Sequence, residues 1–170
     1  AAESDSLAND LAESVVRLVA DLVEARRAEG RQLRAIIEGQ LVAMSRLTQA
    51  AEACPGRQPE AVKARLSASI AALMEAGGLD PGRLHQEAVL IAAKADVREE
   101  LDRLSAHLDS VGELLAKGGA IGRKLDFLAQ ELGREANTLC AKAGDIALSR
   151  IGLDLKAVVE QFREQVQNVE

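Results

Sequence analysis

The chain has 170 residues, with 27 acidic residues against 21 Lys and Arg, a formal net charge of −6 and 48% apolar residues. Only Phe127 and Phe162 are aromatic, which excludes an RRM-type surface and a stacking platform for single-stranded nucleic acid. No uncharged apolar run approaches the ~20 residues of a bilayer span, and the polar, acidic start AAESDS is not a signal peptide. A cytoplasmic protein without a membrane segment is expected. The chain starts on Ala, which suggests a piece of a longer protein. Ala and Leu carry the apolar content beside 28% charged residues, the composition of long helices packed side by side.

From Leu7 to about Ala53 apolar residues recur at three and four: Leu7, Leu11, Val15, Leu18, Leu22, Leu33, Ile37, Leu41, Met44 and Leu47. This predicts one long amphipathic helix, or two in line with Gly30 the weak point. Ser4, Asp5 and Ser6 are candidate N-caps. Pro55 and Gly56 predict a turn, and Pro59 starts a second helix carrying Val62, Leu66, Ile70 and Leu73. That helix stops at Gly77 and Gly78.

A helix through Leu84 and Ile91 is expected after Asp80-Pro81, where Asp80 can cap and Pro81 can occupy the first helical position. Asp96-Val97-Arg98-Glu99 then has a capping-box pattern, and Val97, Leu101, Leu104, Leu108, Val111 and Leu115 form the next seam. Lys117-Gly118-Gly119 closes it. Leu125, Leu128, Leu132 and Leu139 mark a helix from about Gly122. Leu148, Ile151, Leu155, Val158, Phe162, Val166 and Val169 mark a last one after Gly144, ordered to within a residue or two of Glu170.

The fold class expected is all-α, with antiparallel helical hairpins and coiled-coil-like packing. Residues 1–76 form a long N-terminal hairpin in this reading, and residues 79–170 a C-terminal helical domain. The first helix has more apolar stripe than shorter helices can cover, so a homo-oligomer is expected.

Charge gives no global pull on nucleic acid, because both sides of the chain are acidic: 9 basic and 12 acidic residues up to Asp80, 12 and 15 after it. Contact with RNA therefore requires local clusters. Arg26, Arg27, Arg31 and Arg34 form one, and Arg123 with Lys124 another; each also reads as a solvated helix face. Cys54 and Cys140 have neither C-x-x-C nor zinc-finger spacing, and read as reduced packing thiols.

Gly118-Gly-Ala-Ile-Gly122-Arg-Lys124 fails as a phosphate loop: no strand precedes it, and Leu125 stands where Ser or Thr would bind magnesium. It reads instead as a glycine cap followed by a helix start. On that helix Asp126, Gln130, Arg134 and Asn137 line one polar stripe. Glu131 and Glu135 are a like-charge pair four apart, costing roughly 0.2–0.5 kcal/mol unless offset. Arg134, Lys142 or a divalent cation would offset it, and oxygen-only neighbours suit Mg²⁺ or Mn²⁺. A solvated or inter-subunit polar face explains the same residues.

Glu100, Arg103 and His107 share one flank of their helix. Glu100 and His107 are roughly 10.5 Å apart along it, so they cannot chelate one ion locally and act together only through Arg103 or a substrate spanning both. His85 reads as an ordinary hydrogen-bonded helix residue.

The segments GRKLDFLAQELGREANTLCAK (122–142) and REQVQNVE (163–170) resemble the YicC/YloC-like family of bacterial endoribonucleases. RRAEGRQL (26–33) and RLHQEAVLIAAKADVREELDRLSAH (83–107) support this. Gly133 and Cys140-Ala141 depart from the family pattern, while Glu87, Lys142, Asp145 and Glu170 are among the positions that match it. The resemblance implies metal-assisted RNA phosphodiester hydrolysis by a ring-like homo-oligomer, a hexamer in the family, in the cytoplasm. It also implies a further N-terminal domain that this chain lacks.

Residue chemistry then suggests roles. Glu131, Glu135 and Asp126 are the candidate ligands of Mg²⁺ or Mn²⁺. Arg123, Lys124, Lys142 and Arg103 are candidates for RNA phosphate, with Arg134 the stabiliser of the transition-state charge. Glu100 is a further catalytic candidate, and His107, whose imidazole can both accept and donate a proton, is the acid–base candidate. The alternatives are a non-catalytic helical scaffold and an RNA-binding adaptor for another nuclease. The C-terminal Gln167–Glu170 segment is expected to meet a partner rather than fray.

Overall fold

The computed structural model describes residues 2–75 and 96–169, with positions 82, 86 and 89 between them. Every regular element among the described residues is helical. The elements are α1 (Ala2–Glu52), a 3₁₀ turn (Pro55–Arg57), α2 (Pro59–Glu75), α3 (Arg98–Lys117), α4 (Gly122–Lys142) and α5 (Ile146–Val166). His85, Glu87, Glu170, the Asp80-Pro81 start and the boundary expected between residues 76 and 79 lie outside the described residues.

α1 runs unbroken through Gly30 as a rod of 51 residues, about 75 Å at 1.5 Å per residue. It starts at Ala2, so Ser4, Asp5 and Ser6 lie inside its first turns and are not the caps expected. Its two halves have different surroundings. Ile37, Met44 and Ala51 are buried against α3 and α5, whereas Leu7, Leu11, Val15, Leu18 and Leu22 are all more than half exposed.

The second half of α1 joins α3, α4 and α5 in a closed ring of contacts: α1 on α3, α3 on α4, α4 on α5 and α5 on α1. One hydrophobic core lies inside that ring. Leu101, Leu104 and Val111 supply it from α3, Leu125, Leu132 and Leu139 from α4, and Leu155, Val159 and Phe162 from α5. These are the three-and-four positions of each helix, and the leucines bury up to about 3 kcal/mol of apolar side chain each.

Short connections hold these helices in place. Gly118 and Gly119 have φ of +65° and +80°, a region open to glycine and strained for other residues. Gly118 N–H donates to the Leu114 carbonyl, closing α3. α5 is capped by Asp145, whose Oδ1 accepts from the Ala147 and Leu148 N–H groups at 2.9 and 3.1 Å. The same oxygen accepts from Cys54 Sγ at 3.8 Å. Gly56 packs so closely on this carboxylate that a Cβ there would lie 2.6 Å from Cγ of Asp145. The Pro55-Gly56 turn thereby ties the end of α1 to the start of α5.

At the start of α3, Asp96 Oδ1 accepts from the Arg98 N–H at 2.9 Å, while Val97 holds the capping position with no side-chain bond. The chain after α5 continues as a turn, with Val169 N–H on the Val166 carbonyl and Val169 packed on the core. No described helix is long and apolar enough to cross a membrane.

Candidate functional site

The α3–α4 seam brings four charged side chains together at its outer edge. Glu100 sits where its helix turns inward and is 2% exposed. Lys142 Nζ donates to Glu100 Oε1 at 2.8 Å and to the Asp96 carbonyl at 3.1 Å. Arg103 reaches across to Glu135, with Nε 3.0 Å from Oε1. It also bonds Glu99 Oε1 on its own helix at 2.9 Å and lies 3.8 Å from Glu100 Oε1. The second oxygen of Glu100, Oε2, is buried without a hydrogen-bond partner.

This network costs the fold something. Desolvating a carboxylate is expensive, and a buried ion pair is often no better than an apolar pair of the same volume. An unpartnered buried oxygen adds about 1–3 kcal/mol of lost hydration.

Cross-helix pairs 100–142 and 103–135 run in opposite chain directions. Continuing them places His107 and Glu131 at one level, one turn beyond Arg103 and Glu135. His107 is half-buried and makes no hydrogen bond or ion pair among the described residues. Glu131 is held by Arg134 Nη1 at 2.7 Å.

The remaining candidates fall elsewhere on α4. Asp126 accepts from Gln130 Nε2 at 2.9 Å. Arg134 is 72% exposed and borders a cavity of about 310 Å³ shared with Gln130, Asn137, Glu160 and Arg163. The polar stripe expected along α4 thus faces the α5 side, while Glu135 turns to α3. Arg134 and Glu100 are not brought together. Arg123 and Lys124 are exposed at the start of α4, beyond the charge network.

The repulsion between Glu131 and Glu135 is offset by two arginines, each carboxylate taking its own. Arg134 was legible for this role from its i,i+3 spacing. Arg103 was not, because it comes from another helix; Lys142 instead neutralises Glu100. Glu99, absent from the sequence-based candidates, steadies Arg103, and its i,i+4 spacing was the available signal.

The expected metal ligands Asp126, Glu131 and Glu135 are separated by these partners. Among the described residues no group of three or more His, Cys, Asp or Glu side chains is placed to hold a metal ion. A divalent cation at Glu100 and Glu135 would also face Lys142 and Arg103. The donors as placed do not fit such an ion.

Both cysteines are free thiols. Burial pushes the Cys140 thiol above its usual pKa, against a smaller opposing pull from Lys156. This keeps it protonated and unreactive near neutrality. Its Sγ packs on Gly152, where a Cβ would lie 2.9 Å away.

Residues 51–170 match the family described as "Endoribonuclease YicC-like, C-terminal". The chain belongs to this family. It is 37% identical over 167 residues to a probable endoribonuclease YicC of Haemophilus influenzae, covering 98% of this chain and 57% of that protein. It is 31% identical over 169 residues to a probable endoribonuclease YicC of Clostridioides difficile, covering 99% of this chain and 58% of the relative. The YicC-like region therefore holds α3, α4, α5 and the whole charge network, and the chain spans under three-fifths of the length of these two relatives.

Proposed function

We propose that this chain is the helical portion of an RNA phosphodiesterase and that RNA lies along the α3–α4 seam. The observation that carries the placement is the buried Glu100 carboxylate, half-satisfied beside Lys142 and Arg103. Family membership supports the reaction class, since the relatives are named probable endoribonucleases.

Cleavage requires a base for the attacking oxygen, positive charge for the phosphorane and an acid for the leaving oxygen. In this reading Arg103 and Lys142 exchange part of their bonding from carboxylate to phosphate as the strand arrives. Glu100 and Glu135 are positioning residues that hold those cations at the groove. His107 carries the proton, taking it from the attacking hydroxyl and returning one to the departing 5′ oxygen. Arg134, on the α5 side, contacts a neighbouring phosphate.

These steps need no metal. Mg²⁺ or Mn²⁺ assistance belongs to the proposal only with donors from outside the chain, RNA phosphate oxygens or a second copy, completing what Asp126 and Glu131 offer. The exposed stripe of α1 supports a homo-oligomer with coiled-coil-like packing along that stripe. The absence of a membrane-spanning helix among the described ones, together with two free thiols, supports a cytoplasmic setting.

The test is cleavage of an end-labelled structured RNA by this chain and by a full-length family member. His107→Ala is expected to slow cleavage by about 10²–10⁴-fold with RNA affinity unchanged. Cleavage at the parent rate overturns the role of His107. Binding without cleavage by the rigorously purified parent selects the RNA-binding adaptor, and absence of binding selects the scaffold.

A further inference from the structure

Further along the α3–α4 seam, past His107, the surface changes character. Phe127 is 59% exposed, whereas the other aromatic, Phe162, is fully buried. Phe127 lies off the Leu125–Leu128–Leu132 seam, pointing away from the core at the edge nearest α3. It lines a cavity of about 490 Å³ with Lys117 from α3 and Arg123 and Lys124 from its own helix.

None of these three cations makes an ion pair or side-chain hydrogen bond among the described residues. Glu113 is the one acid in the lining, and it too is unpaired. Three cations against one carboxylate leave a formal charge of +2 around an exposed ring, and on a chain of net charge −6 this forms a local surface complementary to an anion with a flat apolar face.

We propose that this pocket is a nucleotide subsite: Phe127 stacks one unpaired RNA base, while Lys117, Arg123 and Lys124 take the phosphates flanking it. The subsite rests on the reading of the groove as RNA-binding. The small aromatic count excludes a platform of several rings, and a single ring gives one stacking step. Ser110, in the same lining, is one turn from His107, so the stacked base lies roughly 5 Å along the helix axis from the level of the proton carrier. Such a stack fixes the strand's register against Arg103 and Lys142. It also demands an unpaired base at that point, because a base inside a duplex has no free face to offer.

The chain has no Trp or Tyr, so Phe127→Trp creates a single tryptophan whose emission reports this pocket alone. Titration with a short oligoadenylate is expected to quench it saturably. Inorganic polyphosphate is expected to compete for the cations without that quench. Phe127→Leu is expected to weaken oligoadenylate binding about tenfold and leave duplex RNA binding within twofold. Arg123→Ala with Lys124→Ala is expected to lower the salt slope of oligoadenylate binding by about 1.4.

Binding seen by anisotropy of labelled oligoadenylate, with tryptophan emission unchanged, overturns the subsite and leaves the RNA reading standing. No binding of any RNA overturns both. Tryptophan emission that shifts with protein concentration before RNA is added assigns the ring to contact between copies and overturns the subsite.

Discussion

The two halves of α1 have the same apolar periodicity and opposite fates. Ile37, Met44 and Ala51 are sealed inside the ring with α3 and α5, while Leu7, Leu11, Leu18 and Leu22 face solvent along the same continuous helix. The difference lies in what stands opposite, because amphipathicity records that a face is to be covered without recording by what. In the folded half an apolar stripe is stability within one chain. In the exposed half the same stripe adds little to the stability of one chain.

The largest expected effect separates these roles directly. Phe162→Ala empties the centre of the core and is expected to cost about 3–5 kcal/mol in chemical denaturation. Leu11→Ala, on the exposed stripe, is expected to change the stability of an isolated chain by less than about 0.5 kcal/mol. If Leu11→Ala instead lowers the sedimentation coefficient or halves the mass by light scattering, the stripe is an interface between copies. A parent that is a stable monomer at micromolar concentration would remove that interpretation.

The charge network gives the second contrast, between a buried group held by partners and one held by packing. Lys142→Ala leaves Glu100 buried with only the longer contact to Arg103, and is expected to cost about 2–4 kcal/mol. Adding Glu100→Gln should recover at least half of that loss. A double variant as unstable as Lys142→Ala would show that the lysine contributes through its hydrocarbon stem rather than its charge.

Close helix contact comes next. Gly152→Ala places a Cβ 2.9 Å from Cys140 Sγ and is expected to cost about 1–3 kcal/mol, the usual range for overpacking. Cys140→Ala in the same chain should relieve most of it. The smallest effect returns to α1: nothing lies within 4 Å of a Cβ added at Gly30, so Gly30→Ala is expected to stabilise the helix by about 0.5–1 kcal/mol. A raised melting temperature would confirm that Gly30 is no hinge; a lowered one would show that the helix bends there in solution.

Much of the helical order was legible along the chain. Repeats at three and four marked α1 through α5, Pro55-Gly56 and Gly118-Gly119 marked turns, and Pro59 marked a helix start, whereas the Asp145 cap of α5 emerged only in the structure. These signals are local, since propensity, capping and left-handed glycine conformations depend on neighbours within a few residues. The same locality caused the miss at the start of α1, where several polar residues can cap and spacing does not choose between them and a helix beginning earlier.

The grouping of charges required the tertiary structure. Glu131 and Glu135 look paired along α4, yet Glu135 turns to Arg103 of α3, and Glu131 stays with its local partner. Lys142 finds Glu100 at a sequence separation of 42. Phe127 carried no signal beyond its absence from the leucine seam until Lys117 from α3 was seen beside it. The sequence alone determined which residues belong to helices and which faces are apolar, because a helix couples residues three and four apart. Which charges neutralise one another, and which apolar face stays uncovered, was decided by how the helices cross, since ion pairs and burial depend on distances between segments that no short-range pattern encodes.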